Sequence, residues 1–205
     1  MAMYIHEKHK LIYLASPKTA SVATKQALIH QAGFVFHNQP FASHHAGPKG
    51  ISLGRMAEYE IDGIEEYSVA TTIRNHWDTA VSWWFYNHQN VPFGKSFIEQ
   101  GLWKNNSVYF PVENEWWAVH GNADTILRYE RLEMDLNKWL TAHSVSPVKL
   151  ALDNETQQRR GLPYQFVMDQ ETNKYITNRF GDEIGKYGYS YEKLPYGRLA
   201  VTYET

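Results

Sequence analysis

The sequence predicts an α/β protein: a single domain spanning residues 1–205, with a central, mostly parallel sheet flanked by helices. Three observations carry this expectation. Runs suited to strands recur at residues 10–15, 67–75 and 123–130, the second of them β-branched and largely uncharged until Arg74. Each is followed almost at once by apolar residues at helical spacing. At 205 residues, with 43% of them hydrophobic, the chain is long enough to bury one substantial core. Ligands of such sheets sit outside the carboxyl ends of the strands, so the elbows between strand and helix are the places to look for chemistry.

Taken in order, "KLIYLA" (10–15) reads as a buried strand. A helix follows from Thr19 to about Gln31, with Ala20, Ala23 and Ala27 at helical spacing and Gly33 as a C-cap residue. "GFVFH" (33–37) is a second short strand, and residues 38–50, with Pro40, His44, His45, Pro48 and Gly50, form a loop. "SLGRMAEYE" (52–60) suits a short helix with an acidic, solvated tail. "YSVATTIRN" (67–75) is the clearest later strand, uncharged from Ser68 to Ile73, and Trp77, Val81, Trp84 and Phe85 then give a helix. "ADTILRYE" (123–130) is a further strand, Leu132, Leu136, Trp139 and Leu140 mark the next helix, and a last helix covers 170–184.

Bulk properties narrow the function classes. A formal net charge of −2 argues against a general nucleic-acid or membrane-surface binder, so an anionic ligand would need a local cluster of Lys and Arg. The absence of cysteine removes disulfides and thiolate metal sites. Aromatic content of 15% exceeds the needs of such a core and suggests a lined cleft. Trp83, Trp84, Trp116 and Trp117 could stack on a ring there, but core packing is the simpler reading for most of them, above all for Trp84 on the apolar face of its helix. The N-terminal stretch "MAMYIHEKHKLIYLA" lacks an apolar run long enough for a signal peptide or a membrane span, so a soluble, cytoplasmic protein is expected.

The elbow "SPKTAS" (16–21) places Pro17, Lys18, Thr19, Ala20, Ser21 and Val22 between a strand and a helix. The first turn of a helix carries amides without internal partners and the positive end of the dipole. Lys18 adds a full charge, and Thr19 and Ser21 add hydroxyls, so the elbow is built like a phosphate cradle. It is not the G-x-x-x-x-G-K-[ST] loop of nucleotide hydrolases and kinases, because no glycine is present. The simpler reading is an ordinary turn with Thr19 or Ser21 as N-cap.

"IRNHWDTAVS" (73–82) repeats this logic. Arg74 ends a strand, Asp78 lies in the first turn of a helix, and Ser82 sits one turn further on the same face. Arg74 and Ser82 could grip one phosphate from two sides, the planar guanidinium giving directed bonds. The alternative is a structural Arg74–Asp78 ion pair with Ser82 as a packing residue.

Together the two stretches resemble the paired cofactor motifs of the PAPS-dependent sulfotransferases, where PAPS is 3′-phosphoadenosine 5′-phosphosulfate. "SPKTAS" resembles their 5′-phosphosulfate loop, P-K-[ST]-[GA]-[GST]-[TS]. "RNHWDTAVS" resembles their 3′-phosphate motif, R-N-P-x-D-x-x-x-S, with His76 in the place of the proline. "ADTILRYERLEMDL" and the ending "FGDEIGKYGYSY" resemble later segments of the same family. The resemblance implies a P-loop NTPase-like sulfotransferase architecture that moves the sulfuryl group from PAPS to a hydroxyl of a carbohydrate or small-molecule acceptor. PAP, the 3′,5′-bisphosphate, would be the product, and no metal is implied.

In that setting Lys18 suits the bridging oxygen, where negative charge grows as the donor leaves. His45 is the preferred general base, because His45-Ala46 fits the family's usual segment better than His44, and His37 is a third option. Arg159, Arg160 and Gly161 resemble the Arg-Lys-Gly segment that holds the 3′-phosphate in cytosolic members. Glu130 is expected to brace its helix, and residues 88–122 to shape the acceptor pocket. The competing readings are a P-loop-like nucleotide kinase and a non-catalytic nucleotide- or glycan-binding module on the same fold. No H-e-x-x-H metal motif or G-x-S-x-G elbow is present.

Overall fold

The computed structural model describes residues 2–16, 18–37, 61, 63–87, 123–151 and 163–192. Among the described residues there are five strands: β1 (Ala2–His6), β2 (Leu11–Ala15), β3 (Val35–His37), β4 (Ser68–Ile73) and β5 (Thr125–Arg128). Four α-helices accompany them: α1 (Ser21–Ala32), α2 (His76–Asn87), α3 (Leu132–Ala142) and α4 (Gln170–Lys186). Short 3-10 turns cover Glu7–His9, Ile64–Glu66, Tyr129–Arg131 and Tyr164–Phe166. The predicted helix at 52–60 lies outside the described residues.

The sheet runs in the order β3-β1-β2-β4-β5. It is mixed, and this corrects the expectation of a mostly parallel sheet: β2-β4 and β4-β5 pair in parallel, while β1 is antiparallel to both β2 and β3. The element that the sequence reading missed is β1. Met3, Tyr4 and Ile5 are buried, beside histidines and charges, and a hairpin partner rather than its own pattern makes β1 a strand.

Strand β2 is buried along its whole length, as a central strand covered on both faces should be. Leu11, Tyr13 and Ala15 face the core under α1 and α3, where Ala27, Leu28, Leu136, Trp139 and Leu140 pack. Ile12 and Leu14 face the opposite side with Met3, Ile5, Tyr67 and Val69. A separate cluster joins Trp77, Val81, Trp84 and Phe85 of α2 to Ile176 and Ile184 of α4. Helix α1 buries mainly alanines, which lets it lie close on the sheet, and it ends at Gly33, whose φ of +75° needs no Cβ and whose amide donates to the Leu28 carbonyl.

The order of strands places the site. From β2 the chain passes through α1 to β3 on one side of the sheet, whereas from β4 it passes through α2 to β5 on the other. The adjacent parallel strands β2 and β4 therefore send their connections in opposite directions. That divergence is a topological switch point, where open sheets of this kind leave a crevice at their carboxyl edge. The elbows singled out from the sequence are the two that flank it.

Candidate functional site

The parallel ladder sets the geometry. Leu14 pairs with Thr71 and Ile73 with Arg128, so the same register carried past the strand ends sets Arg74 toward the first elbow on one side and level with Tyr129 on the other. Hydroxyls knit the strand ends beneath: Thr71 Oγ1 donates to the Leu14 carbonyl at 2.8 Å, and Tyr13 and Thr72 share a hydrogen bond of 2.7 Å.

The first elbow does not close as an ordinary capped turn. The N-cap of α1 is Ala20, in the left-handed region at φ 59°, ψ 31°, with no side-chain capping bond. Neither Thr19 nor Ser21 caps the helix. Thr19 is buried and its hydroxyl donates to the Ser16 carbonyl at 2.7 Å, so it braces the turn and is not aimed outward as the sequence suggested. Thr24 likewise turns its hydroxyl onto the Ala20 carbonyl, at 3.1 Å. Lys18 is also left-handed, at φ 60°. Two non-glycine residues in this region cost about 1–3 kcal/mol each. The reversal of hand from Ala20 into the helix turns successive amides toward one side, the nest geometry that receives anions. Helical geometry leaves the amides of Ser21, Val22 and Ala23 without i−4 acceptors. Val22 is exposed at this turn, Ser21 part-exposed, and Pro17 lies outside the described residues.

The second elbow is capped, and the contrast is informative. Asn75 Oδ1 accepts from the Asp78 amide at 3.2 Å, so α2 spends one of its first-turn donors on the protein itself. Arg74 is 5% exposed and forms a buried ion pair with Asp78, Nε to Oδ2 at 2.6 Å and Nη2 to Oδ2 at 2.5 Å. Its Nη1 donates to the Lys18 carbonyl at 2.6 Å, and the Tyr129 ring covers its face at 3.9 Å. These further partners offset the desolvation that makes bare buried pairs costly. Burial works against the charge, yet Asp78, Tyr129 and Glu130 together hold the guanidinium pKa above its ordinary value. Ser82, one turn beyond Asp78, is part-exposed, and among the described residues no hydrogen bond joins it to Arg74 or Asp78.

Lys18 is the electrostatic centre of the first elbow. Burial, with the positive Arg74 nearby, pulls its pKa down to about 8. A cation held below its normal pKa gains when an anion arrives to pair with it.

Around this pair the later motifs converge. Glu130 accepts from the Asn75 amide at 3.0 Å and from the Tyr189 hydroxyl at 3.1 Å, which is the bracing role expected of it. The Tyr164 hydroxyl donates to the Tyr191 carbonyl at 3.0 Å and meets Asn75 Nδ2 at 3.3 Å. His76 is 4% exposed and pairs with Glu183 of α4 at 3.2 Å, stacked on Phe180, where α4 is kinked. Sequence reasoning gave no role to Tyr129 or Tyr164 and noted His76 only as the residue in the place of the family's proline. For Tyr129 a signal existed, since it directly follows a strand adjacent to the one ending at Arg74.

Of the candidate bases, His37 ends β3 level with Met3, and Met3 is level with Leu14 of β2, so it lies on the same carboxyl edge about 10 Å from β2 at two strand spacings. His44 and His45 lie outside the described residues, as do Arg159, Arg160, Gly161, Trp116 and Trp117. The structure thus brings Arg74 against the elbow that carries Lys18, Thr19, Ala20 and Ser21. No family model, curated protein or solved structure matches the chain.

Proposed function

We propose that the protein is a PAPS-dependent sulfotransferase acting on a hydroxyl of a carbohydrate or small molecule, on an architecture like that of the P-loop sulfotransferases. One observation carries the reading: an uncapped, left-handed elbow bearing Lys18 sits at the switch point and is tied through its own carbonyl to Arg74 of the second motif. The described residues fit the donor. The first-turn amides of α1 and the Lys18 ammonium suit the 5′-phosphosulfate, and the 3′-phosphate is assigned to Ser82 of the second motif with Arg159, Arg160 and Gly161, as the family resemblance implies.

The acceptor oxygen attacks sulfur as the bond from sulfur to the bridging oxygen breaks. The bridging oxygen keeps the electron pair and leaves with PAP, and the acceptor proton passes to a base. Lys18 is assigned to the charge that grows on the leaving oxygen. His45 is assigned as the base, with His44 and His37 the other choices.

The fixed orientation of Thr19, whose hydroxyl is committed to Ser16, favours a second reading: a binding module that holds the nucleotide without transferring sulfate. Calorimetric titration with PAP, beside 5′-AMP and ADP, separates both from a structural role. Micromolar binding of PAP with much weaker controls supports a 3′-phosphate site; equal binding overturns it. With labelled PAPS and a hydroxyl panel, Lys18→Ala is expected to lower turnover about 10²–10³-fold with a smaller loss of PAP affinity. A binding module has no turnover to lose.

A further inference from the structure

We infer that Arg74 is a positioning residue of the anion loop: clamped by Asp78 and Tyr129, it holds the Lys18 carbonyl and so fixes the backbone that aims the loop's amides, instead of gripping a phosphate itself. The inference deepens the sulfotransferase reading and rests on its anion loop.

Four observations meet here. Arg74 is 5% exposed, so its guanidinium faces protein on nearly every side. Three of its five N–H groups are accounted for: that of Nε and one of Nη2 by Asp78, and one of Nη1 by the Lys18 carbonyl at 2.6 Å. The Tyr129 ring covers the guanidinium, with Cζ 3.9 Å from the ring centroid. The carbonyl it holds belongs to Lys18, one of two strained left-handed residues in the elbow. Strain of that kind persists only where the surroundings over-determine it. A peptide group presents its carbonyl and the next amide on opposite sides. Holding the Lys18 oxygen inward against Arg74 therefore directs the Thr19 amide the other way, and with it the turn into α1.

A direct ligand and a positioning residue predict different losses. An arginine bound to the 3′-phosphate matters only to nucleotides that carry one. An arginine that shapes the 5′ loop matters to every anion bound there. Removing Arg74 alone would strand the Asp78 carboxylate in the interior, so the variant used is the pair R74M/D78N, with Tyr129→Leu as a milder second case. PAP and 5′-AMP are titrated against each. Both ligands are expected to weaken by the same factor, about tenfold to a hundredfold for the pair and less for Tyr129→Leu. Loss of PAP affinity with 5′-AMP unchanged overturns the inference, as does no loss for either.

Carbon chemical shifts of Lys18 and Ala20 in the ligand-free protein supply the second readout. Their left-handed signature is expected to vanish in R74M/D78N while the shifts of β2 and α1 persist. A retained signature overturns the inference even if no nucleotide binds. Equal wild-type binding of PAP and 5′-AMP would remove the sulfotransferase reading alone; a parallel loss of 5′-AMP affinity in the variants would still support the positioning role.

Discussion

Lys18 owes its chemistry to where its backbone goes. A left-handed lysine next to a buried arginine loses hydration and feels a like charge, and its pKa falls to about 8. Below pH 8 the ammonium is charged and holds an anion; as pH rises through 8 the proton leaves and affinity falls. A bound anion raises the pKa again, so binding above pH 8 takes up a proton. PAP titrations in buffers of different ionisation enthalpy should show this uptake, and Lys18→Met should abolish both it and the pH dependence. For stability the sign is opposite. The folded pKa lies below that of the unfolded chain, which alone binds the proton between about pH 8 and the usual lysine value, so Lys18 makes the fold gain stability as pH rises across that window.

At the scale of elements, α1 and α2 begin in opposite ways, and the difference follows from single residues. Ala20 has no side chain able to cap, whereas Asn75 accepts from the Asp78 amide. Helix α2 is then tied to the kinked α4 by His76, in the position where the sulfotransferase pattern has proline. Proline at a first helical position is favourable and would return about 0.4–1 kcal/mol through the unfolded state. It would also remove the Glu183 bond and the stacking on Phe180, which together contribute more. His76→Pro is therefore expected to lower stability by about 1–2 kcal/mol, read as a reduced urea midpoint at constant slope. An unchanged midpoint would show that the α2–α4 tie contributes little.

Across the whole molecule, the site joins two halves of the sheet. The β2 elbow belongs to the part of the chain that runs to β3, the β4 elbow to the part that runs to β5, and a ligand touching both would bridge them. A ligand at a hundred times its dissociation constant adds about 2.7 kcal/mol. For a chain of this length PAP should then raise Tm by roughly 5–10 °C, and 5′-AMP at the same concentration by clearly less. Equal shifts would mean that the 3′-phosphate is not recognised. Among the described residues no helix is long and apolar enough to cross a membrane.

The sequence by itself determined the local elements. β-Branched runs, helical spacing and the glycine at position 33 mark β2, β4, β5 and all four helices to within a few residues, because these signals depend on neighbours in the chain. It also marked both elbows, since a lysine and an arginine at strand ends stand out against apolar surroundings. The tertiary structure alone decided the rest. The reversed strand β1 is set by pairing on both its edges, and its own five residues carry too short a pattern to declare it. Thr19, read as an outward donor, turns inward because the Ser16 carbonyl needs a partner. Arg74 reaches Lys18 because the register of two parallel strands sets residues 56 positions apart in the chain side by side, and no spacing along the sequence encodes that distance.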